Sequence, residues 1–347
     1  MIKIKSKNLN TFYFDVHGCG IEIYANDNFF NYFKRPFKNF QNNTISNISI
    51  KILPYTGKEV LPIRIKGSYA GFKLSVTQIE GREVISIFYN YNLQKEDIGY
   101  LAEFTRFLLN WSDKCQIHSS AVTKGKKGFI FAGRGNVGKT TIVIYLMEKG
   151  YSIVNDDWVI ITEKGEVYSS PQPLRVYDYN LAYNYRLCNK IFGLRAPLMY
   201  VYTKARVKFR ESIIPLIPNR LLRYALDKLL SRCIKYINHK CVKGQIESVF
   251  WLNRSKTKSI EIFPISEREI IDRMIANFKY EFSDFFKQYY QIAPEEGKIS
   301  YLENIEAHMT RVLQSAFSGV PCFNVLIPYH TSSEKLCETI EKKLQIL

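Results

Sequence analysis

The run Gly133-Arg-Gly-Asn-Val-Gly138-Lys139-Thr140 constrains this chain more than any other feature, because it fills every position of the pattern G-x-x-x-x-G-K-[ST]. Glycines at these places let successive backbone N–H groups curl inward around phosphate oxygens, with no Cβ to block the approach. The flanks agree with that reading. Lys127-Gly-Phe-Ile-Phe-Ala-Gly133 reads as a short buried strand, and Thr141–Lys149 as an apolar helix stopped by Gly150. A helix directly after the loop adds its N-terminal partial positive charge to an anion site. The expected ligand is a nucleoside triphosphate cradled by Gly133, Arg134, Gly135, Asn136, Val137, Gly138, Lys139, Thr140 and Thr141. Lys139 is expected to reach its β- and γ-phosphates, and the Thr140 hydroxyl to ligate Mg²⁺.

Tyr151-Ser-Ile-Val154 reads as the next strand and ends at Asn155-Asp156-Asp157; Trp158–Thr162 reads as a third. Asp156 lies only 17 residues past Lys139, room for one helix, one turn and one strand. The segments Gly135-Asn-Val-Gly-Lys-Thr-Thr141 and Glu148-Lys-Gly-Tyr-Ser-Ile-Val-Asn-Asp-Asp157 together resemble the HPr kinase/phosphorylase superfamily, which shares its core with ATP-dependent phosphoenolpyruvate carboxykinase. The resemblance is clear over residues 115–163. It includes Ile117-His118-Ser-Ser-Ala-Val122, where the family carries a histidine near the phosphates.

The resemblance implies an α/β P-loop kinase domain that uses ATP and Mg²⁺ to phosphorylate a hydroxyl. It implies Asp156 as catalytic base, Asp157 beside Thr140 on the metal side, and Lys139 and His118 in the catalytic set. The plain alternatives are a turn cap for Asn-Asp-Asp and a structural histidine. The Glu-Ile-Arg-Gly-like segment of HPr kinase proper is missing downstream. Ser169-Ser-Pro-Gln-Pro-Leu-Arg175-Val-Tyr177 instead resembles the substrate-side loop of HPr kinase-related proteins found beside peptide-modification genes. The expected acceptor is therefore a Ser or Thr of a peptide or protein other than HPr. The rival readings are a kinase of a small metabolite or nucleic-acid hydroxyl, and a non-catalytic nucleotide-binding regulator. Arg175 is either a phosphate clamp or a surface charge. Arg254, just after Val249-Phe-Trp-Leu252, is a second candidate facing the nucleotide.

Around this block the pattern divides the chain into a smaller β-rich α+β domain, residues 1–110, and the kinase-like domain, residues 111–347. Strands are expected at Thr11–His17, Ile21–Tyr24, Asn47–Leu53, Phe72–Val76 and Val84–Tyr89, with a turn at Ala25–Asn28 and a helix over Asp97–Trp111. Helices are expected at Glu267–Lys287, Tyr301–Phe317 and Ser332–Leu347, and a strand at Cys322–Ile327. Aromatic residues make up 14% of the 347 and rule out disorder as the main state. No apolar run approaches the roughly 18–20 residues of a membrane span, and Met1-Ile-Lys-Ile-Lys5 alternates apolar and basic residues, so a soluble cytoplasmic protein is expected. None of the seven cysteines forms a CxxC pair; free thiols are expected, and Cys233, His239 and Cys241 fit no zinc spacing.

The formal charge of +17 is unevenly spread. Residues 204–243 hold 11 Lys and Arg against two acids, and Leu221, Leu222, Ala225, Leu229 and Cys233 recur there at helical spacing. The segment 204–243 reads as a basic helical insertion, with an amphipathic helix between Pro218 and His239. It is either a solvated face over the core or a docking surface for an acidic peptide, a protein or a polyanion such as RNA; no nucleic-acid motif accompanies it. A homo-oligomer is left open.

Overall fold

The computed structural model describes residues 9–42, 48–55, 63–64, 71–79, 82–90, 95–110, 112–172, 174–182, 185–219, 221–222, 235–237, 242–296 and 300–346. The fold is mixed α/β, with two mixed sheets. The first sheet comprises β1 (Asn10–Val16), β2 (Cys19–Ala25), β3 (Gln41–Asn42), β4 (Ile48–Tyr55), β5 (Ile63–Arg64), β6 (Gly71–Ile79) and β7 (Arg82–Asn90), ordered β3-β1-β2-β4-β7-β6-β5. Two helices accompany it, α1 (Asp27–Phe37) and α2 (Lys95–Phe107).

Helix α1 corrects the sequence reading of Ala25–Asn28 as a turn. Asn26 caps the helix, its side chain accepting the Phe29 N–H at 2.8 Å. Phe29, Phe30, Phe33 and Phe37 then bury one stripe of the helix. An Asn-Asp pair signals a turn and a helix start equally well, and only the aromatic stripe behind it discriminates.

The second sheet carries the glycine-rich loop. Its main path is β11 (Ser152–Asn155), β9 (Ser119–Lys124), β10 (Lys127–Gly133), β16 (Lys243–Ser255), β13 (Glu166–Ser169), β12 (Val159–Thr162) and β8 (Lys114–Ile117); β18 (Cys322–Pro328) pairs with β16, and β17 (Glu261–Pro264) with β18. Strands β10, β16 and β18 run parallel, whereas β9 is antiparallel to both β10 and β11. A separate ribbon joins β14 (Leu174–Val176) to β15 (Lys235–Ile237).

Alternation along these strands feeds two cores. Phe129 and Phe131 of β10 and Phe250 and Leu252 of β16 face the core under α3 (Lys139–Glu148) and the C-terminal helix Ser333–Ile346. Ile130, Ala132, Val249 and Trp251 face the other, under α7 (Glu267–Glu281) and the helix Ile305–Phe317. A strand covered on both faces is apolar at every step, which is why β10 and β16 read as continuous hydrophobic runs. The second core continues into α1, α2 and the first sheet, and His17 Nε2 lies 2.7 Å from the Ser169 carbonyl oxygen.

Three expected helices differ; the run Tyr301–Phe317 is broken at Asn304, between the helices Ser300–Glu303 and Ile305–Phe317. The run Glu267–Lys287 breaks at Phe282, whose φ −97° and ψ 15° end α7 before a new helix, Ser283–Glu296. The basic helix expected between Pro218 and His239 falls mostly outside the described residues, as do Cys233, His239 and Cys241. Within that span Lys235-Tyr-Ile237 is strand, not helix, because it pairs with β14. The basic residues from 204 belong in part to α6 (Ala196–Ser212), which follows α4 (Asp178–Ala182) and α5 (Tyr185–Phe192). Among the described residues no helix is long and apolar enough to cross a membrane.

Candidate functional site

Because β9 opposes β10 and β11, the start of β9 meets the C-terminal ends of the other two: Ala132 faces Ser119, and Asn155 faces Ala121. His118, Ser120, Gly133 and Asp156 therefore converge at one edge of the sheet. Immediately beyond Gly133 the chain turns through the glycine-rich loop into α3.

Two glycines in that loop are required by geometry. Gly133 has φ +147°, and a Cβ built there would lie 2.5 Å from the Leu252 carbonyl oxygen. Gly138 caps α3 with φ +108°. A Cβ on Gly135, by contrast, would meet nothing within 4 Å, so the loop is open at that point. Lys139 is 5% exposed, and its Nζ donates to the carbonyl oxygens of Gly133 at 2.8 Å and Arg134 at 2.9 Å. Burial lowers its pKa, against the attraction of Asp157, Asp156 and Glu281.

Asp156 is 2% exposed. Its Oδ1 accepts from Ser120 Oγ at 2.5 Å, and Thr140 Oγ1 lies 3.0 and 2.9 Å from its two carboxylate oxygens. Burial, and next the neighbouring Asp157 charge, push its pKa up to about 6, against the hydrogen bonds from Ser120 and Thr140 and the Lys139 charge. Asp157 turns away at φ +67° and keeps partial exposure; its Oδ2 accepts from Gln172 Nε2 at 3.1 Å. Positive φ at a non-glycine residue costs energy, and a local hydrogen bond makes aspartate one of the residues that tolerates it. The two carboxylates thus take different partners at the strand end, Ser120 and Thr140 for Asp156 and Gln172 for Asp157. A hydroxyl and a carboxylate at hydrogen-bond distance form an all-oxygen donor pair, the chemistry that suits a hard cation also bound by phosphate oxygens and water. Among the described residues no group of three or more His, Cys, Asp and Glu is placed to hold a metal unaided.

His118 sits between the Trp158 indole, with ring centroids 5.1 Å apart, and α7, where its Nδ1 is 3.1 Å from Glu281 Oε1 and 3.1 Å from Asn277 Nδ2. Asn277 Nδ2 also lies 3.5 Å from the Gly133 carbonyl oxygen. The His118 contact holds the Glu281 carboxyl below its usual range, and the Lys139 charge adds to this. His118 is thereby fastened to α7 under the loop.

Arg175 lies on β14, within the electrostatic reach of Asp157. Arg254 is turned to the neighbouring strand end, donating from Nη1 to the Pro328 carbonyl oxygen at 3.0 Å. A pocket beside the loop is lined instead by Arg134, Trp251, Leu252, Asn253 and Arg273. Sequence reasoning missed Ser120, Gln172, Asn277, Glu281 and Arg273. Ser120 stood inside the histidine segment. The i, i+4 spacing of Asn277, Glu281 and Arg273 on one helix was the signal available for that group.

The assembly defines a mixed α/β protein that gathers a lysine, a threonine and two aspartates at the strand ends of one sheet, an arrangement compatible with kinase-like α/β folds. Over 49 residues the chain is 41% identical to the HPr kinase/phosphorylase of Chloroherpeton thalassium, a match covering 14% of this chain and 14% of that relative. No protein-family model matches. The match spans about one seventh of that relative's length and supports at most a distant HPr kinase-like relationship.

Proposed function

We propose that the chain is a P-loop kinase of HPr kinase type that transfers the γ-phosphate of ATP to a hydroxyl, in the first place a Ser or Thr of a peptide or protein. The observation that carries this reading is the contact of Thr140 Oγ1 with Asp156 at 2.9 and 3.0 Å, directly beside the Lys139 loop. Thr140 and Asp156 would hold Mg²⁺, which when bound neutralises charge on the β- and γ-phosphates.

The same contacts support the reverse of the roles expected from the resemblance. Asp156 is committed to Ser120 and Thr140, which suits the metal side. Asp157, partly exposed and contacted by Gln172, suits the base. As the acceptor oxygen bonds to the γ-phosphorus, the bond from that phosphorus to the ADP oxygen breaks, and the hydroxyl proton passes to the Asp157 carboxylate. Positioned proton transfer of this kind contributes roughly 10²–10⁴ in rate.

The test is transfer of labelled phosphate from ATP to pools of peptide, protein, small metabolites and RNA by wild type, Asp157→Asn and Asp156→Asn. We expect label on peptide or protein, and a rate about 10²–10⁴ lower in Asp157→Asn with Mg·ATP binding retained. Asp156→Asn is expected to lose the Mg²⁺ dependence of nucleotide binding. Nucleotide binding without turnover in wild type would sink the kinase reading. Label confined to RNA or a small metabolite would sink the peptide acceptor.

A further inference from the structure

Beyond Asp157 lie two guanidinium groups that the scheme above does not use, Arg106 buried and Arg175 half-buried. Arg106, on α2, is 6% exposed. Its Nη1 donates to Gln172 Oε1, and the other end of that amide donates to Asp157. Its nearest ion pair is Glu103, 3.8 Å away on the exposed side of the helix. Arg175, three residues beyond Gln172, comes from β14. The Nε of each arginine is buried with no hydrogen-bond partner.

Their energetics point the same way. Burial pulls the Arg106 guanidinium down to about 10; the Glu103 attraction opposes this, and repulsion from Arg175 adds to it. Burial also works against the Arg175 charge, but the attraction of Asp157, with Tyr177, outweighs it and holds its pKa above the ordinary value. Two like charges beside one carboxylate, one buried and the other half-buried, make a costly arrangement unless an anion completes it. Guanidinium forks match phosphate and carboxylate oxygens in geometry.

We infer that Arg106 and Arg175, flanking Gln172 and Asp157, bind an anionic group, a phosphate or carboxylate, carried by the acceptor close to the hydroxyl that is phosphorylated. The inference rests on the kinase reading for the word acceptor; the anion site itself does not. Gln172 links the parts: one end of its amide engages Arg106 and the other engages Asp157, so an anion on the arginines fixes the neighbouring hydroxyl against the base.

The test uses full-length protein and three small probes: N-acetylserine for the carboxylate, glycerol phosphate for the phosphate, and N-acetylserine amide as the neutral control. Equilibrium binding is measured in Lys139→Ala, which weakens the phosphate site of the loop, with and without Arg175→Gln, Arg106→Gln or Arg106→Lys. We expect saturable binding of one anionic probe, at least tenfold weaker binding of the neutral one, and about 10–100-fold loss in Arg175→Gln and Arg106→Gln. Arg106→Lys should recover part of that loss. The preferred probe then decides between carboxylate and phosphate. Arg175→Gln keeps the test decisive if Arg106→Gln does not fold. Equal binding of all three probes, or anion binding unchanged in Arg175→Gln, overturns the inference. Anion binding that follows the arginines, with no transfer from ATP to any hydroxyl, would keep the site and discard the kinase reading.

Discussion

Gly133→Ala is the sharpest test of how the loop is held. The added Cβ would lie 2.5 Å from the Leu252 carbonyl oxygen and 3.1 Å from Val137 Cγ2, at a backbone φ of +147°. The first contact is with backbone of a central strand, paired in register with Gly133 itself, so no side chain can swing aside. Holding a non-glycine residue at such a φ costs about 1–3 kcal/mol, and overpacking a tight core costs about 1–3 kcal/mol more. Destabilisation of about 2–6 kcal/mol follows, a large part of the roughly 5–15 kcal/mol of a folded protein. At an m-value of ~3 kcal/mol/M the urea midpoint falls by ~0.7–2 M. Gly135→Ala, whose Cβ meets nothing, is the control and should stay within about 0.5 kcal/mol of wild type. Equal midpoints for the two variants would refute the argument that close approach of β10 and β16 positions the loop.

Asp156→Asn should stabilise the metal-free protein while abolishing transfer. The folded carboxyl is raised to about 6, so its favourable contribution is complete below the unfolded value and lost as pH rises through 6. The variant does not titrate; a gap of about 1–3 kcal/mol in its favour should open between pH 4 and 6 and persist above, read from melts in chelator. A gap independent of pH would contradict this. Burial lowers the His17 pKa, so the contribution of the neutral ring is complete above its unfolded value of 6.5 and is lost on acidification below it. His17→Gln, measured by urea unfolding between pH 5 and 8, should flatten that part of the profile. Burial pushes the thiols of Cys19, Cys322 and Cys337 up to about 12, so in a Cys233→Ser/Cys241→Ser background native protein should resist iodoacetamide and react only on unfolding; rapid native labelling would contradict the burial.

The loop, its flanking strand and helix, and the carboxylate pair 17 residues on were legible because each depends on neighbours in the chain. Glycines at fixed offsets, a buried apolar strand and a Gly-stopped helix are local patterns. The period-2 and helical runs likewise located β1, β7, β18 and the C-terminal helix. Helix α1 was missed because Asn26-Asp27 signals turns as well as caps, and the break at Phe282 because no Gly or Pro marks it.

What the chain alone determined is the inventory: a glycine-rich loop with its lysine and threonine, two aspartates, a histidine before the strand, and an excess of basic charge. Only the tertiary structure decided which groups meet. The antiparallel β9 carries Ser120 to Asp156, and Asp157, at positive φ, takes Gln172 instead. Helix α2, which ends well before the loop in the chain, delivers Arg106 to Gln172. These contacts span 36 and 66 residues, and no local period encodes them. They follow from strand order and helix placement, which the global burial of apolar surface selects.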